Sequence, residues 1–252
     1  AIEKGKEYVL EANPRASRTV PLVSKVCNVR MVPIATDIIT SELTGRPSPV
    51  PALKEQHIPY YGVKEAVFPF NMFPEVDPIL GPEMRSTGEV LGLSTYYGEA
   101  FYKAQEATQT LLPTSGTVLI SVNRKDKDEV IEIAQLFEKA GFKILATSGT
   151  YAIITAAGVK VEKVKKLQEG RPNINDLITN GSIDLIVNSP SGKESAHDDS
   201  YLRKAAIKAK IPYMTTIAGA RATAKGILYV QAHGDSDVKS LQELHSEIKD
   251  AE

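Results

Sequence analysis

The sequence predicts an α/β protein in two differently organised parts, the second of them a parallel sheet covered by helices on both faces. From Val118 to Met214, short β-branched runs alternate with segments of helix length, the pattern of strands that need a crossover helix between them. The breaker-rich Pro113-Thr114-Ser115-Gly116 separates this half from a first part without such alternation. A hydrophobic share of 42% over 252 residues is enough to build cores in one large domain or two small ones.

In order along the chain, the apolar run Tyr8-Val9-Leu10 opens a strand to Asn13, whose alternation puts Glu11 and Asn13 on one face. Pro14 stops its ladder. Met31, Ala35, Ile38, Ile39 and Leu43 fall on a helical stripe, with Pro33 near its start and Gly45 just past its end. Pro47, Pro49 and Pro51 make an extended stretch, Val63 to Phe70 reads as a strand, and Thr95 to Leu111 as an amphipathic helix. Beyond the break, Val118 to Val122 is a short apolar strand, and Val130, Ile131, Ala134 and Phe137 lie on a helix that ends at Gly141. Ile144 to Ala146 is the next strand, Tyr151 to Ala157 a short helix, and Val159 to Val164 a further strand. A helix near Ile174 to Thr179, a strand Ile183 to Val187, a helix Asp199 to Lys210 and a strand Ile211 to Met214 complete the series.

The bulk properties bound what such a protein can do. A net charge of -1 with interspersed signs gives no global field for nucleic acid or an anionic membrane, so any anion site must be local. The single Cys27 excludes an internal disulfide framework, and four scattered histidines argue against structural zinc. No apolar stretch approaches the roughly 20 residues of a membrane span. Residues Ala1 to Lys6 lack a signal-peptide pattern, so the chain reads as cytoplasmic. Catalytic-type residues so close to the first residue read as a fragment of something longer.

Glu11-Ala12-Asn13-Pro14-Arg15-Ala16-Ser17-Arg18 packs a metal half-site and an anion half-site together. A carboxylate and an amide oxygen on one face suit a hard cation, and the guanidiniums of Arg15 and Arg18 suit phosphate or carboxylate oxygens held by it. An exposed turn with a surface ion pair is the equally weighted alternative. In the second half, Thr147-Ser148-Gly149-Thr150 follows a strand and opens a helix, where hydroxyls and backbone N–H groups converge on an anion. A capping turn without a ligand would give the same tetrapeptide. Lys166 before Gly170-Arg171-Pro172, and Asn188-Ser189-Pro190-Ser191-Gly192, also follow strands. Three such strand-end loops imply one shared site, since parallel sheets bind ligands at that edge. Lys127 can reach it, although Arg124, Lys125 and Lys127 by themselves are a solvated face.

Glu11 to Arg18 followed by Thr19-Val20-Pro21-Leu22-Val23-Ser24-Lys25, with Asp77 to Val90 further on, resembles the carbamoyl-phosphate synthase large chain. The first block is similar to the last metal-binding strand of its ATP-grasp domain. The second half resembles the methylglyoxal-synthase-like domain at that chain's C-terminus, through Thr147 to Thr150, Lys166, Glu169 to Pro172, Asn188 and Pro212-Tyr213-Met214-Thr215-Thr216. The resemblance implies a truncated C-terminal portion of an ATP-grasp domain in residues 1–112, then a methylglyoxal-synthase-like, Rossmann-like allosteric domain in 117–252.

It further implies a glutamine-hydrolysing ligase of pyrimidine and arginine biosynthesis, with a glutaminase small subunit and the rest of the large chain as partners. Glu11 and Asn13 would ligate magnesium or manganese with ATP, while Arg15 and Arg18 would steady carbamate and phosphoryl oxygens. Lys127, Thr147, Thr150, Lys166 and Asn188 would hold the phosphate and sugar of a UMP- or IMP-type effector. Glu65, Tyr213 and Thr215 would contribute to an ornithine-type effector site. Ser189 and Pro190 stand where one bacterial pattern has two threonines, and Asp199 where a serine aligns, so the effector's identity stays open.

The alternatives are a free-standing regulatory nucleotide-binding module, whose first half only docks, a methylglyoxal synthase, or a purine-pathway cyclohydrolase domain. Ser191-Gly192-Lys193-Glu194 stands in the loop where a methylglyoxal synthase needs its catalytic carboxylate, and argues against that enzyme. Without a G-x-x-x-x-G-K-[ST] loop, this polypeptide alone is expected to be inactive as a ligase. A homo-oligomer is left open.

Overall fold

The computed structural model describes residues 1–12, 14–47, 55–73, 84–189, 196–234 and 238–250. Its chain forms two compact units, Ala1–Pro59 with Lys239–Glu252, and Tyr60–Val238.

The first unit opens with β1 (Ile2–Glu3) and β2 (Lys6–Glu7), an antiparallel pair. Lys4 and Gly5 turn between them at φ of 50° and 76°, the left-handed conformation that a two-residue hairpin loop requires. Ala1 and Tyr8 exchange two main-chain bonds of 2.8 Å, and there the ladder ends. Tyr8 to Ala12 is not a strand, which corrects the expectation for this stretch. Alternation alone cannot make a strand without a neighbour to satisfy its N–H and C=O groups. Val9 and Leu10 stay exposed at 91% and 74%.

Helices α1 (Thr19–Cys27) and α2 (Met31–Thr44) follow. Asn28 at φ 53° ends α1, and Gly45 at φ 63° ends α2 with its N–H on the Ser41 and Glu42 carbonyls, a left-handed C-terminal cap of the expected kind. β3 (Gln56–His57) pairs with a strand at the far end of the chain.

In the second unit, β4 (Tyr61–Val67) pairs antiparallel with β5 (Gly88–Ser94), in a register running from Tyr61 opposite Ser94 to Val67 opposite Gly88. α3 (Tyr97–Ala107) packs on this ribbon and buries Ala100, Phe101 and Ala104. Then come β6 (Thr117–Ser121), α4 (Val130–Lys139), β7 (Lys143–Thr147), α5 (Ser148–Ala156) and β8 (Glu162–Val164). They are followed by α6 (Ile174–Thr179), β9 (Leu185–Asn188), α7 (Ala196–Lys208), β10 (Tyr213–Met214) and α8 (Ile217–His233). The chain returns to the first unit with α9 (Leu241–Ser246) and β11 (Lys249–Asp250), the partner of β3. Ser240 and Glu243 cap α9 reciprocally.

Strands β6 to β10 form one parallel sheet in the order β10-β9-β6-β7-β8. Alternation divides each strand between two cores. Val118, Ile120, Ile144, Ala146 and Val187 join Phe137, Ile154, Ile227 and Phe101 on one face. Leu119, Leu145, Val164 and Ile186 join Ile174, Ile178 and Leu202 on the other. A sheet buried on both faces accounts for the continuous apolar runs of its strands. The loop 113–116 is a connection inside this unit, because α3 packs against α8 and binds residues 60–112 to the parallel sheet. Compactness divides the chain at 59/60 and at 238/239, inside the expected domains of 1–112 and 117–252.

Candidate functional site

The order of the sheet reverses at β6, which has β7 on one side and β9 on the other. Chains leaving β6 and β9 diverge there, and the crevice at their carboxyl ends is where a parallel sheet accepts a ligand. Ser121, Thr147 and Asn188 end the three central strands at this edge. Thr147 and Asn188 are 3% and 1% exposed. A buried polar side chain must find partners. The Ser121 and Thr147 hydroxyls meet at 3.0 Å, the Val122 N–H donates to Thr150 Oγ1 at 3.2 Å, and the Asn123 N–H donates to Ser189 Oγ at 3.0 Å. The last of these bonds spans the reversal. Asn123 Oδ1 accepts the N–H groups of Lys125 and Asp126 at 2.7 and 3.2 Å, and so shapes the turn that carries Lys127.

Thr147 stands at the N-cap of α5 in an extended conformation, but its side chain is spent on Ser121 and does not cap the helix. Thr147 thus gives the first-turn N–H groups of α5 no side-chain acceptor, and these groups carry the positive end of the helix dipole. A Cβ on Gly149 would stand 2.9 Å from Nζ of Lys127, which places that ammonium directly over the same turn. Of the expected residues, the structure thus brings Lys127, Thr147, Thr150 and Asn188 to one edge.

Lys166 follows β8 beside them and is exposed. Its N–H donates to Glu169 Oε2 at 2.9 Å. The Gly170-Arg171-Pro172 loop is held by Lys165 Nζ on the Arg171 carbonyl at 3.2 Å, and by Arg171 on Asp176 at 2.6 and 3.3 Å. The Asn173 N–H and then the Arg171 guanidinium hold the Asp176 carboxyl below its ordinary value. A cleft of about 410 Å³ opens beside this loop, lined by Ser148, Lys163, Lys165 and Glu169. Among the described residues none of Lys127, Lys163, Lys165 and Lys166 makes an ion pair. The structure adds Lys163, Lys165, Ser121 and Asn123 to the expected residues. Alternation along β8 past Val164 was the signal for the two lysines, and Asn123-x-x-Asp126 after a strand was the signal for the turn.

The other expected residues are less assembled. Glu11, Arg15 and Arg18 are exposed, Arg15 bonds the Ala16 carbonyl at 3.4 Å, and Asn13 lies outside the described residues. Two oxygen donors are fewer than the six or so that magnesium takes. No group of three or more His, Cys, Asp or Glu placed to hold a metal ion occurs among the described residues. Glu65 on β4 is held by Gln105 of α3 and the Ala66 N–H, and burial outweighs these bonds to push its carboxyl up. Tyr213 lies on β10 against the α6 and α7 core, and the exposed Thr215 follows it. The bonds described for Glu65 run to α3 and its own strand, not to β10. Residues 77–83 and the 190–195 loop also lie outside the described residues.

Comparison with known proteins gives this geometry a lineage. Residues 129–215 match the family model of the MGS-like domain. A carbamoyl phosphate synthase large chain from Archaeoglobus fulgidus is 46% identical over 248 residues, 98% of this chain and 23% of the relative. The Aquifex aeolicus protein described as the carbamoyl phosphate synthase large chain, C-terminal section, is 43% identical over 265 residues, 98% of this chain and 49% of that one. Over 98% of its length the chain is similar to carbamoyl phosphate synthase large chains. It spans between about a quarter and a half of the length of these curated relatives. A solved methylglyoxal synthase from Elizabethkingia anophelis NUHP1 is 21% identical, with a TM-score of 0.37 over 45% of this chain and 79% of that one. The strand-end residues described above fall largely within or beside the matched MGS-like region, with Lys127 just ahead of it. No described helix is long and apolar enough to cross a membrane.

Proposed function

We propose that this chain acts as the C-terminal section of a glutamine-hydrolysing carbamoyl phosphate synthase large chain, and that its parallel-sheet domain is the regulatory nucleotide-binding domain. The observation that carries the reading is the placement of the Lys127 ammonium over the uncapped first turn of α5, at the edge shared by Thr147, Thr150 and Asn188. Backbone N–H groups, a helix dipole and a lysine suit a nucleoside monophosphate such as UMP or IMP. Lys166 closes the pocket from the β8 side.

In the same reading, Glu11 and Asn13 contribute oxygens to the magnesium of an ATP-grasp site completed by the rest of the large chain, and Arg15 and Arg18 steady the carbamate and phosphoryl oxygens. Magnesium with ATP would supply charge neutralisation for phosphoryl transfer. The glutaminase small subunit would deliver ammonia, and Glu65, Tyr213 and Thr215 would contribute to a site for an ornithine-type amino acid. The enzyme would be cytoplasmic and serve pyrimidine and arginine biosynthesis. This section alone would bind effector without turning over ATP.

Calorimetric titration with UMP, IMP and ornithine, on the native chain and a Lys166→Ala variant, tests the regulatory half. Saturable binding of one nucleotide that the variant weakens by about tenfold supports it. Absence of nucleotide binding to the native chain would overturn it. For the ligase half, Glu11→Ala in the intact enzyme should abolish carbamoyl phosphate synthesis and leave effector binding unchanged.

A further inference from the structure

The chain leaving β6 is tied to both of its neighbours by consecutive residues. The Val122 N–H donates to Thr150 Oγ1 on α5 at 3.2 Å, and the Asn123 N–H donates to Ser189 Oγ just past β9 at 3.0 Å. Asn123 then turns the chain with its side chain. From an extended backbone (φ -67°, ψ 172°), its Oδ1 accepts the N–H groups of Lys125 and Asp126 at 2.7 and 3.2 Å, which shapes the 3₁₀ turn Arg124–Asp126. Lys127 is the next residue.

The bond between Asn123 and Asp126 departs from the usual pattern. Where a cap residue and an acid three positions on cap each other, the acid ordinarily accepts the main-chain N–H of the cap. Here that N–H is committed to Ser189, and the Asp126 carboxylate accepts from Asn123 Nδ2 at 2.8 Å instead. The acid immediately before Lys127 is thereby held by an amide at the start of the turn. Arg124 and Lys125 stay exposed, while Lys127 is half-buried with its Nζ over Gly149. One side chain thus fixes the turn from its first residue to its last, and the ammonium leaves it at a defined point.

We propose that Asn123 is a positioning residue of the anion site at this edge, holding the Asp126 carboxylate back and aiming the Lys127 ammonium at the α5 turn. The inference rests on the regulatory reading above and deepens it. Lys127 makes the contact with the ligand and Asn123 does not. A lysine carries its charge on a flexible stem. Without the turn its ammonium samples many positions, and ordering it on binding costs free energy. A freed carboxylate beside it competes with an incoming anion for the same charge. The bond to Ser189 ties the aim of Lys127 to the end of β9, which carries Asn188, so the two walls of the crevice are set together.

A double-mutant cycle on the full chain tests this, with Asn123→Ala, Lys127→Ala and both together titrated calorimetrically with UMP and IMP at two salt concentrations. For the nucleotide that binds, Asn123→Ala should weaken affinity by about tenfold although it changes no charge, and its affinity should depend less steeply on salt, as for Lys127→Ala. The double variant should bind within about twofold of Lys127→Ala, because Asn123 acts through that ammonium. Asn123→Asp with Asp126→Asn keeps the net charge and reverses the bond, so it should bind within about twofold of the native chain. Thermal melting sets a titration temperature at which each variant is folded. If Asn123→Ala does not fold, the reversed pair carries the test.

Native affinity in Asn123→Ala overturns the inference and leaves the regulatory pocket standing. So do losses that add in the double variant, a salt dependence in Asn123→Ala equal to the native one, and a reversed pair that binds about tenfold more weakly than the native chain. Failure of both nucleotides to bind the native chain overturns the regulatory reading and this inference together.

Discussion

A Cβ on Gly226 of α8 would stand 2.9 Å from the carbonyl oxygen of Gly98 of α3, so the two helices cross backbone against backbone. From the other side, a Cβ on Gly98 would stand 3.0 Å from the carbonyl carbon and oxygen of Lys225. This contact holds the β4–β5 ribbon and α3 to the parallel sheet, and it puts residues 60–112 in the same compact unit. Gly226→Val should destabilise the chain by about 1–3 kcal/mol, the ordinary cost of overpacking. Urea denaturation followed by circular dichroism measures it, and an unchanged midpoint would mean that the helices can separate freely.

A second link between the same layers is electrostatic. Glu99 of α3, 6% exposed, accepts from the Ser94 hydroxyl and from Lys103 Nζ at 2.8 Å. Burial alone would raise its carboxyl, but bonds from Lys103, Ser94 and Tyr229 of α8 outweigh burial and hold it below the ordinary value of 4.5. A depressed folded-state pKa contributes stability above the unfolded value, and that stability is lost as pH falls through the folded value. Glu99→Gln should therefore cost about 1–3 kcal/mol at pH 7, and the difference from the native chain should close on acidification below pH 4.5. Urea midpoints measured across that range decide it.

Elements whose signal is internal to the segment were legible in the sequence. α6 matches its expected span, α2 and α4 differ by a residue or two at their ends, and the strands of the parallel sheet announce themselves as apolar runs between breakers. α8 lies outside the elements that the sequence pattern predicts, although Thr216 Oγ1 caps it through the Gly219 N–H at 3.1 Å. Ile217, Ala220, Ala224 and Ile227 bury one side while Gly226 meets Gly98 on another, so no clean polar stripe marks it as a helix. β5 was hidden by Gly88 and Gly92, and its conformation comes from β4. The expected strand at Tyr8 to Asn13 failed for the converse reason, since a strand is a property of two segments.

The candidate site divides in the same way. The Thr147 to Thr150 turn can be read locally, because a strand, small polar residues and a helix adjoin in sequence. The meeting of Asn123 with Ser189 depends on strand order, which no local pattern encodes.

Gly149 gives a test that separates binding from stability. The atom nearest to a Cβ there is Lys127 Nζ at 2.9 Å, and the next is Cε of the same side chain at 3.8 Å. A flexible ammonium can swing away at little cost, and alanine gains up to about 1 kcal/mol in helix propensity over glycine. Gly149→Ala should accordingly keep or slightly raise the thermal midpoint, while nucleotide affinity falls by about tenfold because Lys127 is pushed off the α5 turn. Calorimetry with UMP or IMP beside a melting curve reads both quantities. A large loss of stability would instead make Gly149 a packing residue.

Glu65 presents the opposite pH behaviour to Glu99. Burial raises its carboxyl above 4.5, more than the bonds from the Ala66 N–H and Gln105 lower it. A raised folded-state pKa means that its contribution is fully favourable below the unfolded value and is lost as pH rises through the folded one. At neutral pH the native chain therefore bears the cost of a half-buried charge, which Glu65→Gln removes while keeping a partner for Gln105. The variant should be more stable at pH 7, by about 1 kcal/mol, and the gain should vanish below pH 4.5. If Glu65 serves a cationic amino acid, the same substitution should abolish ornithine binding, so stability and binding move in opposite directions, as they do where a site is held at the expense of the fold. A gain in stability with ornithine affinity unchanged would remove Glu65 from that site.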